Sequence, residues 1–101
     1  MSIKNRTVDV DFYIFDVLMR DLVGHDHSPA SFLVFLYLWR ETLGRRNALA
    51  QRSLQQMASA TGLSKSAVQC ALKVLKRRRL IRSLKPRMTA IPTYSLKKYW
   101  T

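Results

Sequence analysis

Residues 53–82, SLQQMASATGLSKSAVQCALKVLKRRRLIR, hold two capped helical patterns joined by a tight turn. Gln56 stands three residues after Ser53, the spacing from which a hydroxyl and a side-chain amide satisfy each other's backbone donors at a helix start. That spacing predicts a helix from Ser53 to about Thr61, with Leu54, Met57 and Ala58 facing inward. Gly62 takes positive φ without steric cost, so Thr61-Gly62-Leu63 reads as the turn. Ser64 then caps a second helix over 64–78. Val68, Ala71, Leu72 and Leu75 share one stripe of it at helical spacing. Ser66, Gln69, Cys70, Lys73 and Arg77 fall on the other side, with Lys65 at the N-terminal edge.

Downstream, Leu80-Ile81-Arg82-Ser83-Leu84-Lys85 and the stretch Thr93 to Trp100 read as two arms of a β-hairpin with its tip at Pro86 to Pro92. Leu84, Tyr94 and Leu96 are its inward candidates. Upstream, Leu49 to Arg52 suits a short strand. A helix from Pro29 to Leu43 is apolar on nearly every side, which predicts the central core element. Ser28 is its expected cap, Pro29 suits its first turn, and Gly44 is its expected end. Before it, Ile14, Phe15, Leu18, Met19 and Leu22 predict a helix from about Phe12 to Val23, stopped by Gly24 and followed by a loop. Val8 to Phe12 alternates and reads as an extended lead-in. The fold class is mainly α with a small β-hairpin: an N-terminal extension over 1–28 and a domain over 29–101.

The charge narrows the function. Across 101 residues, 18 Lys and Arg oppose 6 Asp and Glu, a net charge of +12. All the acids (Asp9, Asp11, Asp16, Asp21, Asp26, Glu41) precede residue 42, where Lys4, Arg6, Arg20 and Arg40 also lie, so that part sums to 4 − 6 = −2. The remainder carries 18 − 4 = 14 basic residues and no acid. A block with only one sign of charge calls for an external counter-ion, and nucleic acid is the leading expectation. The longest apolar run, Phe32 to Trp39, is far below the ~20 residues that span a bilayer, and no membrane partner is expected. A lone cysteine, Cys70, excludes a disulfide framework and a multi-cysteine zinc site. His25 and His27 flanking Asp26 form too weak a pattern for a metal. With no nucleophile–base pair and no phosphate-cradling glycine motif, neither catalytic residues nor cofactors are expected. The chain reads as a cytoplasmic, nucleoid-associated binding protein rather than an enzyme.

Met57-Ala58, Gly62, Leu63-Ser64-Lys65-Ser66-Ala67-Val68, Ala71-Leu72 with Leu75, and Leu80-Ile81 resemble the winged helix-turn-helix segment of bacterial transcription regulators, the MarR-like and GntR-like families being the nearest. The resemblance covers about half of the chain. It implies a winged helix-turn-helix in which helix 64–78 enters the major groove of double-stranded DNA, while the 80–98 hairpin, as the wing, reaches backbone and minor groove. Two departures stand out. Arg79 replaces a glycine usual before the Leu-Ile pair, and the hairpin tip has no glycine. A left-handed Arg79 costs on the order of 1 kcal/mol.

Base-edge candidates are Lys65, Ser66, Gln69 and Lys73: Gln69 can bond adenine N6/N7, and Lys65 guanine O6/N7. Phosphate and wing candidates are Ser64, Lys76, Arg77, Arg78, Arg82, Lys85 and Arg87, which position without specifying. The expected partner besides DNA is a second copy, because small readers commonly use paired half-sites. The 12–23 segment either mediates that dimer or packs on the first helix. No small-molecule effector is evident. The alternative is a replication or partition initiator of a phage or plasmid.

Overall fold

A computed structural model describes residues 6–85, 87 and 90–100, and both capped helices form where the sequence puts them. Helix α1 spans Pro29–Glu41, α2 Leu54–Thr61 and α3 Lys65–Arg77. Strands β1 (Ala50–Gln51), β2 (Ile81–Leu84) and β3 (Thr93–Leu96) make one antiparallel sheet in the order β1-β3-β2. The chain is mainly helical with this small sheet. The short strand at 49–52 turns out to be an integral third strand, with Ala50 opposite Tyr94 and Gln51 opposite Thr93.

Local chemistry accounts for the frame. Ser53 Oγ accepts from the Gln56 amide at 3.1 Å while Gln56 Oε1 accepts from the Ser53 amide at 2.8 Å, closing the capping box. Gly62 has φ 81° and ends α2, its amide donating to the Ala58 carbonyl. Thr61 tightens the turn, since its hydroxyl donates to the Met57 carbonyl and accepts from the Leu63 amide. Ser64 Oγ accepts from the Ala67 amide at 3.1 Å and opens α3.

Elsewhere the structure corrects the sequence reading. Ser28 does not cap α1 with its side chain; its hydroxyl bonds the Ser31 hydroxyl at 2.5 Å instead. α1 stops at Glu41, and the left-handed residue beyond it is Arg46, not Gly44. Gly44 serves close approach: a Cβ there would lie 2.9 Å from the Val8 side chain. Gly24 does not stop the N-terminal helix, whose π-wound stretches Ile14–Leu18 and Arg20–His25 run past it; His27, at φ 52°, marks the break. In the hairpin Leu84 is 68% exposed. Alternation explains it: buried Ile81 fixes the inward face, which puts Ser83 opposite Tyr94 inward and Arg82 and Leu84 outward. The tip residues Pro86, Met88 and Thr89 lie outside the described residues.

The core is one cluster. Phe32, Val34, Phe35, Leu38 and Trp39 of α1 pack with Met57 and Ala58 of α2 and with the Val68, Ala71, Leu72 and Leu75 stripe of α3. Leu80, Ile81 and Tyr94 close it on the sheet side. Ile14, Leu18 and Leu22 are fully buried in the same cluster, so the 1–28 extension shares the core of the 29–101 domain. Each contributes about 1.5–3 kcal/mol relative to an exposed side chain. The extension therefore packs on α1, while Phe12, Phe15 and Met19 keep exposed surface.

Candidate functional site

With its apolar stripe spent on the core, α3 turns the rest of its surface outward. Lys65, Ser66, Gln69, Cys70, Lys73, Lys76 and Arg77 are all exposed. Lys65 opens the helix beside small Ser66 and Ala67, and the other cations lie further along it. Ser64 belongs to this end too, but its hydroxyl is engaged by the Ala67 amide and lies 3.3 Å from Ser66 Oγ. Arg82 is exposed on the outward face of β2, and Lys85 and Arg87 are exposed where the hairpin leaves the sheet. At ~3.3 Å per residue the four residues of β2 span about 13 Å, and Lys85 and Arg87 follow its far end.

Arg78 does not join that surface. Its Nε and Nη2 donate to the two carboxylate oxygens of Asp26 at 2.5 and 2.7 Å, a two-pronged grip of the kind that fixes both partners. Asp21 adds a longer contact at 3.9 Å. The Arg78 hydrogen bonds hold the Asp26 carboxyl well below the usual carboxylate range, despite partial burial that opposes this. In turn Asp26 raises the Arg78 guanidinium further. The third cation of the run 76–79 thus differs from its neighbours. Lys76 and Arg77 face solvent, Arg78 is a strut, and Arg79 stands exposed with φ 60°, the left-handed conformation expected where a glycine is missing.

Two more acids from the first part of the chain reach cations in the second. Glu41 is 4% exposed and gathers Arg52 (2.5 Å), Arg40 and Arg45, with Tyr37 Oη accepting from Arg52 at 3.2 Å. Burial pushes its carboxyl up, but the Arg52 and Arg40 hydrogen bonds outweigh this and leave it lowered. Asp11 accepts from Trp100 Nε1 at 3.1 Å and pairs with Lys98 at 3.2 Å; the Trp100 bond is the main cause of its lowered pKa. Trp100 also stacks on Tyr13, at 4.4 Å between centroids.

The inference from a one-signed block is therefore only partly right. Arg45, Arg52, Arg78 and Lys98 are neutralised from within. Among the described residues, no carboxylate pairs with Lys65, Lys73, Lys76, Arg77, Arg82, Lys85 or Arg87, all of which are exposed. Sequence reasoning passed over Arg46 and Lys97, two further exposed cations. Their signal was faint, since each lies beside a turn rather than on a periodic face. No protein-family model matches this chain, and no curated protein matches it, so the site is read from its own residues.

Proposed function

We propose that this protein is a double-stranded DNA-binding transcriptional regulator of winged helix-turn-helix type, with α3 as the recognition helix and the β2–β3 hairpin as the wing. The observation that carries the reading is the two-sidedness of α3: one stripe buried in the core, the other a polar and cationic face that meets no carboxylate among the described residues. The element order α1-β1-α2-α3-β2-β3 supports it, since it sets a tight turn before α3 and a hairpin after it. Lys65, Ser66, Gln69 and Lys73 read base edges, while Lys76, Arg77, Arg82, Lys85 and Arg87 neutralise phosphates. Phe12, Phe15 and Met19 offer apolar surface for a second copy, which would set two recognition helices on paired half-sites. No described helix is long and apolar enough to cross a membrane.

Selection of bound sequences from random duplex DNA tests the reading directly. An enriched palindrome supports a dimeric regulator, iterated repeats indicate a replication initiator instead, and no enrichment overturns sequence-specific binding. On the selected site, Gln69→Ala should cost about 1–3 kcal/mol against the preferred base and leave other sequences nearly unaffected. Arg77→Ala should weaken all sequences alike. Identical behaviour of the two variants would overturn the division of roles.

A further inference from the structure

Leu43, Leu49 and Tyr99, exposed at 41%, 59% and 53%, converge on a single open cleft of about 910 Å³ between the segment after α1 and the end of β3. Leu96 lines the same cleft. Isolated surface leucines are ordinary, but here several line one concavity and give it an apolar wall. The volume suits a small organic molecule, because such sites fall in a range of roughly 300–1,000 Å³.

The cleft is also electropositive. Arg79 and Lys97 line it, both exposed, and no carboxylate pairs with either among the described residues. Arg78 and Lys98 line it too but are held by Asp26 and Asp11, neither of which lines the cleft. None of the lining residues is an acid. Arg79 adds a separate sign: it keeps a left-handed backbone, at φ 60°, where glycine would sit without strain. Backbone strain retained under a charged side chain is common at functional sites.

We propose that this cleft binds an amphipathic monocarboxylate. Its apolar body lies on Leu43, Leu49, Leu96 and Tyr99, and Arg79 and Lys97 receive its carboxylate. The proposal stands apart from the DNA reading, because binding is detectable with no nucleic acid present.

Titration of the full chain with decanoate up to about 1 mM, a range that detects even weak affinity, tests it by amide chemical shifts. The expected result is saturable shifts at Ala48, Leu49, Leu96 and Lys97. Acetate, which has the charge without the body, should produce none at the same concentration. Lys97→Gln should weaken decanoate about tenfold, as loss of one charge-assisted contact does, and Leu49→Ser should weaken it severalfold through lost apolar contact. Decanol binding as tightly as decanoate would overturn the anionic half of the proposal. Absence of saturable shifts, or shifts centred on Phe12, Phe15 and Met19 instead, would overturn the site itself.

Discussion

Arg77 and Arg78 are adjacent at the end of α3, yet they belong to different parts of the molecule. Arg77 faces solvent with no carboxylate near it among the described residues, whereas Arg78 grips Asp26 across fifty-two positions of sequence. The same contrast runs through the whole chain. Arg52, Arg78 and Lys98, which meet Glu41, Asp26 and Asp11, tie the two halves of the fold together, and among the described residues the cations on the outward faces of α3 and β2 meet no carboxylate. Net charge is thus the sum of two populations, one structural and one available to a partner. Only the second should respond to DNA, and only the first to unfolding.

Salt is the sharpest way to isolate the available population. Neutralising five to eight phosphates predicts that log K falls with log salt at a slope of roughly −4 to −7. Between 50 and 200 mM salt the affinity for duplex DNA should then drop by roughly 200- to 20,000-fold. Fluorescence anisotropy on a labelled duplex measures it. A slope near zero would mean that the exposed cations contact no backbone.

Next in size is the strut. Arg78→Ala removes two charge-assisted hydrogen bonds and leaves Asp26, largely buried, without its main partner. Because the pair keeps some solvent contact, with side chains 25% and 13% exposed, a loss of about 1–2 kcal/mol of unfolding free energy is expected. Arg77→Ala should leave the urea midpoint unchanged. Equal destabilisation by both would erase the contrast drawn above, while a coupling of less than a few tenths of a kcal/mol in the Asp26–Arg78 double-mutant cycle would reduce the strut to a geometric coincidence.

Acid should dissolve the same struts. Asp11, Asp26 and Glu41 all have carboxyls lowered in the fold. Groups depressed in this way stabilise fully above their unfolded values, near 4, and that stabilisation fades as pH falls through the lower folded values. Urea midpoints should therefore be level from pH 7 to about 5 and decline below that. Asp26→Asn should start lower and decline less steeply. A profile of Asp26→Asn parallel to that of the natural chain would remove Asp26 from the account.

Much of the helical frame is legible in the sequence because its causes are local. Ser53 with Gln56, Ser64 and Gly62 act through neighbours a few positions away, and the α3 stripe follows from helical spacing alone. The exposed candidate residues on α3 are legible for the same reason: they are what remains once the stripe is buried. What escapes is set at long range. Nothing local reveals that Asp26 meets Arg78, that Ala50 pairs with Tyr94, or that Leu43 and Leu49 lie across from Leu96 and Tyr99. The orientation of Leu84 escapes as well. Its inward assignment rests on composition, and one buried neighbour, Ile81, reverses the parity.

The smallest effect concerns Arg79, which belongs to neither population cleanly. Its φ of 60° is the conformation that a glycine takes freely, and its side chain meets no carboxylate among the described residues. Arg79→Gly relieves a strain of on the order of 1 kcal/mol. It also frees the unfolded chain, which offsets about 0.4–1 kcal/mol of that gain. The two terms nearly cancel, so thermal and urea midpoints should move little. A guanidinium that serves only the fold would give a clear loss of stability on removal. One that serves a partner gives an unchanged fold with weaker binding, of the duplex if Arg79 reaches phosphate or of decanoate if it receives the carboxylate. Measuring stability and both affinities on this variant assigns the cation at the hinge between α3 and β2 to structure, to DNA or to the cleft.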